Sequence, residues 1–239
     1  MLFITFILSS VLYANIVNEY YQRIESSGTH IGYAILREEF IAAKNQFIVT
    51  SFTKTNDAGG SITESLKTYA TAENSDPISY QYTLLVGKKT KTIDAVVRKG
   101  VLYATVTEDK SKRSMQTTLD PKKDIFFSSF LIQRMLKKGL TQGKNYNYNA
   151  VSEEDGQVVS GKVEILEQKN DTYRVLNDFK QNRFYSFITP KGVVLETDNP
   201  ITKLKTKWVS KKADAVGDIA FPEAILKTLF GSVPTESKK

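Results

Sequence analysis

Residues 125–136, Ile-Phe-Phe-Ser-Ser-Phe-Leu-Ile-Gln-Arg-Met-Leu, form the apolar stretch that any fold of this chain must first shield from water. Pro121 and Asp124 before it have the chemistry of a helix start, a chain breaker followed by a side chain that caps free N–H groups. Arg134, Lys137 and Lys138 would place cations at the negative end of a helix dipole, and Gly139 supplies a residue free to close the last turn. The pattern therefore predicts a helix over residues 124–138. Ile125, Phe126, Phe127, Phe130, Leu131 and Ile132 would point in nearly every direction around it, and a helix that is apolar all round must be wrapped by something.

The rest of the chain supplies the wrapping. Tyr80, Tyr82, Leu84 and Val86 alternate with Gln81 and Thr83, the period of a half-buried strand. Similar runs are separated by turn chemistry at Ser27-Gly28-Thr29, Asn56-Asp57-Ala58-Gly59-Gly60, Lys99-Gly100, Glu154-Asp155-Gly156 and Pro190-Lys191-Gly192. Loops this short make consecutive strands antiparallel neighbours. The expected fold is mainly β, a large curved antiparallel sheet of about 12–14 strands, a half-barrel or open barrel around one central helix. A short C-terminal helix should follow Phe221-Pro222-Glu223, with Ile225, Leu226, Leu229 and Phe230 on its apolar side. Residues 15–232 read as one domain and 233–239 as a loose tail.

Residues 1–14 carry no charged side chain and are too few to span a bilayer, which takes about 20 residues. They match the apolar part of a secretory signal ending at Leu12-Tyr13-Ala14, without its usual basic start. The expected product, cleaved after Ala14, is periplasmic or secreted, with no transmembrane span. There is no cysteine, which removes disulfides, thiol nucleophiles and cysteine-held metals.

Chemistry-bearing motifs are sparse. His30 is the only histidine, so a Ser-His-Asp arrangement would depend on folding alone. Ser51-Phe52-Thr53-Lys54 fits Ser-x-x-Lys but has no companion motif. Adjacent Glu38 and Glu39 would face opposite sides of a strand and share no site. No enzyme activity, metal or cofactor is expected. Two binding modes remain. If the sheet is not filled by the helix, Tyr82, Phe130 and Trp208 would line a site for a hydrophobic ligand, a lipid or a partner protein. If the core is solid, the net charge of +7 points outward. Lys203, Lys205 and Lys207 would then form a basic strand face for an envelope protein or an anionic polymer. Aromatic residues do not interleave with those lysines, which counts against nucleic acid.

The order of parts resembles a family of exported bacterial β-rich proteins of unknown function, whose domain also precedes transglutaminase-like domains in some envelope proteins. The matching stretches are Gly28-Thr29-His30-Ile31-Gly32-Tyr33, the 124–138 segment with Leu140-Thr141-Gln142-Gly143-Lys144, Glu164-Ile165-Leu166, and Phe187-Ile188-Thr189-Pro190-Lys191-Gly192-Val193-Val194-Leu195. The resemblance implies a likeness to the half-barrel of periplasmic lipoprotein carriers. It transfers no catalytic residue, since the transglutaminase-like set is absent from the chain.

Overall fold

A computed structural model describes residues 15–237; the expected signal segment 1–14 and the last two lysines lie outside the described residues. Alternation and tight turns produce fifteen strands in one sheet. The first group is β1 (Asn15–Ser26), β2 (Thr29–Ile41), β3 (Gln46–Thr55), β4 (Ile62–Thr71), β5 (Pro77–Val86), β6 (Lys89–Arg98), β7 (Val101–Glu108) and β8 (Ser111–Thr118). β9 (Ile125–Phe127) and helix α1 (Leu131–Lys138) come next. The second group is β10 (Asn145–Ser152), β11 (Gln157–Lys169), β12 (Thr172–Phe179), β13 (Asn182–Ile188), β14 (Val194–Asn199) and β15 (Leu204–Val209). Helices α2 (Lys212–Val216) and α3 (Glu223–Phe230) close the chain.

The strand order runs from β8 down to β1, passes to β15, and descends again to β9. Pairing is antiparallel throughout except between β9 and β10. β5 is fourth in this order and β9 is last, yet the Tyr80 ring meets the Phe127 ring edge-on at 5.3 Å. Contact between strands so far apart requires the open sheet to curl on itself, and the expected mainly-β, curved antiparallel architecture is what the chain adopts.

The expected central helix is corrected. Ile125–Phe127 is a strand, followed by a 3-10 turn at Ser128–Phe130, and only Leu131–Lys138 is α-helical. Phe126 and Phe127 are buried on both sides of β9, and a strand covered on both faces reads as an unbroken apolar run, which periodicity cannot tell from a buried helix. Asp124 caps nothing. It forms ion pairs with Arg134 and Lys138 further along. The sheet therefore wraps an inner strand, Phe130 and one side of a short helix. α1 rests its Leu131, Ile132 and Met135 on the inner core. It also sits on the β13–β14 turn, where a Cβ on Gly192 would come within 2.7 Å of Leu136.

Two apolar cores lie on opposite faces of the sheet. The inner one collects Tyr80, Tyr82, Ile93, Leu102, Phe127, Phe130, Ile165 and their neighbours. The outer, smaller one packs Tyr21, Tyr33, Ile35 and Phe52 under Ala215, Val216, Leu226 and Phe230 of the C-terminal helices. Glu38 and Glu39 do fall on opposite faces: Glu38 accepts from Asn18 Nδ2 at 2.7 Å and from Gln133 Nε2 of α1 at 2.5 Å.

The C-terminal tail is also corrected for its described part. Tyr21 Oη donates to Pro234 O at 2.6 Å, and Ser237 Oγ donates to Val209 O at 2.6 Å. Glu236 bridges to Lys211. This segment is stitched to the sheet rather than loose.

Candidate functional site

Curling brings the β10–β11 and β12–β13 turns against β4 and β5, and a cleft of about 220 Å³ remains at that seam. Its walls include Glu64, Tyr82, Ser128, Glu153, Glu154 and Lys180. Ser128 Oγ donates to Glu153 Oε2 at 2.5 Å and the Ser129 N–H to Oε1 at 3.0 Å. Burial nevertheless dominates and pushes the Glu153 carboxyl above the usual range. Burial also raises Glu64, with the neighbouring Tyr82 hydroxyl pulling the other way. For Lys180, partial burial opposes the charge, but its bonds to Asp155 and Glu154 win and hold it above its ordinary value. Its Nζ lies 2.6 Å from Asp155 Oδ2. Carboxylates outnumber cations here, and the one lysine is already committed.

A wider depression lies on the other side of the sheet. Ser65, Lys67 and Tyr69 of β4 and Gln81 of β5 form its floor, and Ala224, Ile225, Thr228 and Leu229 of α3 its wall, enclosing about 520 Å³. Lys67 Nζ donates to Leu229 O at 3.1 Å, tying the helix end to the floor. α3 buries Leu226 and Phe230, while Ile225 stays 53 % exposed on the groove side. The apolar side expected for this helix is thus narrower than the sequence suggested.

The residues singled out from sequence do not gather in one place. Phe130 is fully buried and Tyr82 is 4 % exposed, both in the inner core. Tyr82 reaches the seam cleft; Phe130 does not line it. Trp208 is half-buried on β15 opposite Gln22 of β1, apart from both. The three-residue apolar site is therefore not formed.

The basic strand face is not formed either. Lys203 lies in the turn before β15 with φ 56°. Lys205 is 2.9 Å from Glu196, and Lys207 is 2.8 Å from Glu25. The carboxylates belong to the strands on either side, Glu196 to the hairpin partner β14 and Glu25 to β1, which neighbours β15 only in space and so was hidden from sequence spacing. His30 Nε2 lies 2.9 Å from the carbonyl oxygens of both Gly32 and Ala215, so the ring pins α2 to β2. Among the described residues no group of histidines and carboxylates has the arrangement of a metal site, and no helix is long and apolar enough to cross a membrane.

Little in the sequence marked either depression beyond Tyr82, which reaches the first. Glu64, Glu153 and Lys180 are far apart in the chain, and the only signal for the α3 groove was an isoleucine in excess of what one face of a short helix can bury.

No family model matches the chain, and no curated protein does. Among solved structures it is similar to the crystal structure of a β-barrel-like protein of the domain of unknown function DUF1849 from Brucella abortus. The TM-score is 0.56 at 11% identity, covering 83% of this chain and 96% of that one. At that identity the likeness is one of fold, a β-rich, barrel-like architecture.

Proposed function

We propose that this chain is an exported, non-enzymatic binding domain of the bacterial envelope, and that it holds the acyl chain of a lipid in the groove between α3 and the outer face of β4 and β5. The reading is carried by one contrast: the interior is filled by Phe127, Phe130 and the tyrosines, while Ile225 stands exposed at the rim of a 520 Å³ groove. Full burial of such a side chain is worth about 1.5–3 kcal/mol, and Ile225 can still gain the share that its exposed half represents when a ligand covers it. The charge-free segment 1–14 supports export, and the half-barrel resemblance to lipoprotein carriers supports lipid as the ligand class. The engagement of His30 with two carbonyl oxygens supports a role without chemistry. The ion pairs at Lys205 and Lys207 weigh against a basic strand face as the binding surface.

A fluorescent fatty acid titrated into the purified protein tests this. Ala224→Arg and Ile225→Asp, both at the groove, should weaken binding by about tenfold or more, with the melting temperature little changed. Equal binding by both variants would overturn the assignment. Loss of binding instead in Phe130→Leu would return the site to the interior.

A further inference from the structure

The two ends of the open sheet are treated differently. At one end β9 is sealed, with Phe126 2 % and Phe127 0 % exposed. At the other, β8 has β7 as its only strand neighbour among the described residues. The Asp109 N–H donates to Thr90 O and the Leu119 N–H to Gly100 O, which fixes the alternation of the β7–β8 ladder. Ser111, Arg113, Met115 and Thr117 face β7 with their peptide groups. Lys112, Ser114, Gln116 and Thr118 must turn theirs outward. All four of these residues are exposed, and among the described residues no turn or loop hydrogen bond outside the ladder uses their main-chain groups. Their side chains share a face with Tyr103 and Thr105, opposite the inner core.

Unpaired main-chain groups in a row are a template for another strand. Charge decides which. Residues 86–113 hold eight basic side chains (Lys88, Lys89, Lys91, Arg98, Lys99, Lys110, Lys112, Arg113) and three acidic ones (Asp94, Glu108, Asp109), an excess of five positive charges. Arg113 is 61% exposed and only 3.8 Å from Glu108, a carboxylate it shares with Lys91. Two copies meeting edge to edge would bring two such regions together, so lysine here blocks self-pairing. An acidic strand meets no such barrier. We propose that β8 receives an extended acidic segment of a partner protein as an added antiparallel strand, held by the outward peptide groups of Lys112, Ser114, Gln116 and Thr118. The inference is independent of the lipid groove, which lies on another part of the sheet.

The probe is a synthetic peptide alternating glutamate with threonine and valine, together with a lysine-for-glutamate version and a version N-methylated at alternate amides. The acidic peptide should bind the full chain, more weakly at higher salt, while the other two should bind about tenfold less or not at all. Ser114→Pro removes one outward N–H at a position that gives nothing to the β7 ladder, so it should keep the melting temperature and lose the peptide. Lys112→Glu with Arg113→Glu should weaken binding with the backbone intact. Equal binding of acidic and basic peptides, or of the N-methylated one, would overturn the proposal. So would a concentration-dependent dimer abolished by Ser114→Pro, which would give the edge to a second copy. Absence of binding by the acidic peptide would overturn it outright.

Discussion

On the inner face of the sheet, Tyr80 and Phe127 meet ring against ring and Phe130 fills the space in the same apolar cluster. The outer face keeps its cover by aimed bonds. Arg37, 3 % exposed, pairs with Glu19, donates to Phe230 O at 2.6 Å and to Ser232 Oγ at 3.2 Å, and lies 5.1 Å from the Phe230 ring. Tyr33 Oη reaches Ala220 O, and Tyr21 Oη reaches Pro234 O. The difference follows from what each face has to hold. The inner face closes mostly on the sheet's own strands, so non-directional burial carries most of it, with few aimed bonds such as Tyr148 Oη to Asn177 Oδ1 at 2.8 Å. The outer face must recruit a chain terminus with two short helices, and few apolar residues are available there to do it.

Phe130→Ala should have the largest effect, about 4 kcal/mol, because the vacated space lies where strands from both groups meet and cannot collapse. Urea unfolding with a single transition checks it; a loss under about 1 kcal/mol would mean the inner core is loosely filled. Arg37→Met comes next at about 3 kcal/mol, since it removes the buried cation that pairs with Glu19 together with its bonds to Phe230 and Ser232. Pairing it with Glu19→Leu should restore most of the loss. A double variant as unstable as the single would show that the outer roof needs the bonds to Phe230 and Ser232 more than charge balance.

The smallest effect concerns Glu153. Its carboxyl is raised by burial, so the folded protein keeps that proton to higher pH than the unfolded chain does. Within the window between the ordinary glutamate value and the raised one, the native state binds more protons, and stability falls as pH rises. Glu153→Gln removes that slope. Urea midpoints from about pH 4 to pH 8 should show the variant gaining on the parent as pH increases; a constant difference would contradict the assigned direction.

The sheet was legible because its strands carry their own evidence: the alternation around Tyr80 and Tyr82 and the turns at Lys99-Gly100 and Pro190-Lys191-Gly192 are local signals. Residues 125–127 misled for a physical reason, since burial on both faces erases the alternation that would mark a strand. Lys207 looked free because Glu25, which neutralises it, arrives through pairing across the whole chain, and Lys205 because Glu196 reaches it only once the β14–β15 hairpin forms. The depressions were invisible for the same reason. Glu64, Glu153 and Lys180 become neighbours only when the sheet curls, and the groove beside α3 exists only because that helix docks with Ile225 turned away.

In the strand order every neighbour but one is also a neighbour in sequence; the exception is β1 beside β15, where Tyr21 faces Val209. Hairpins of this kind can zip up locally and quickly, because each asks for little loop closure. Among the strand ladders, the β1–β15 joint alone must gather segments far apart in the chain. Long sequence separation among the ladders is thus concentrated in a single one, and the expected slow step of folding is the meeting of the two ribbons that it joins.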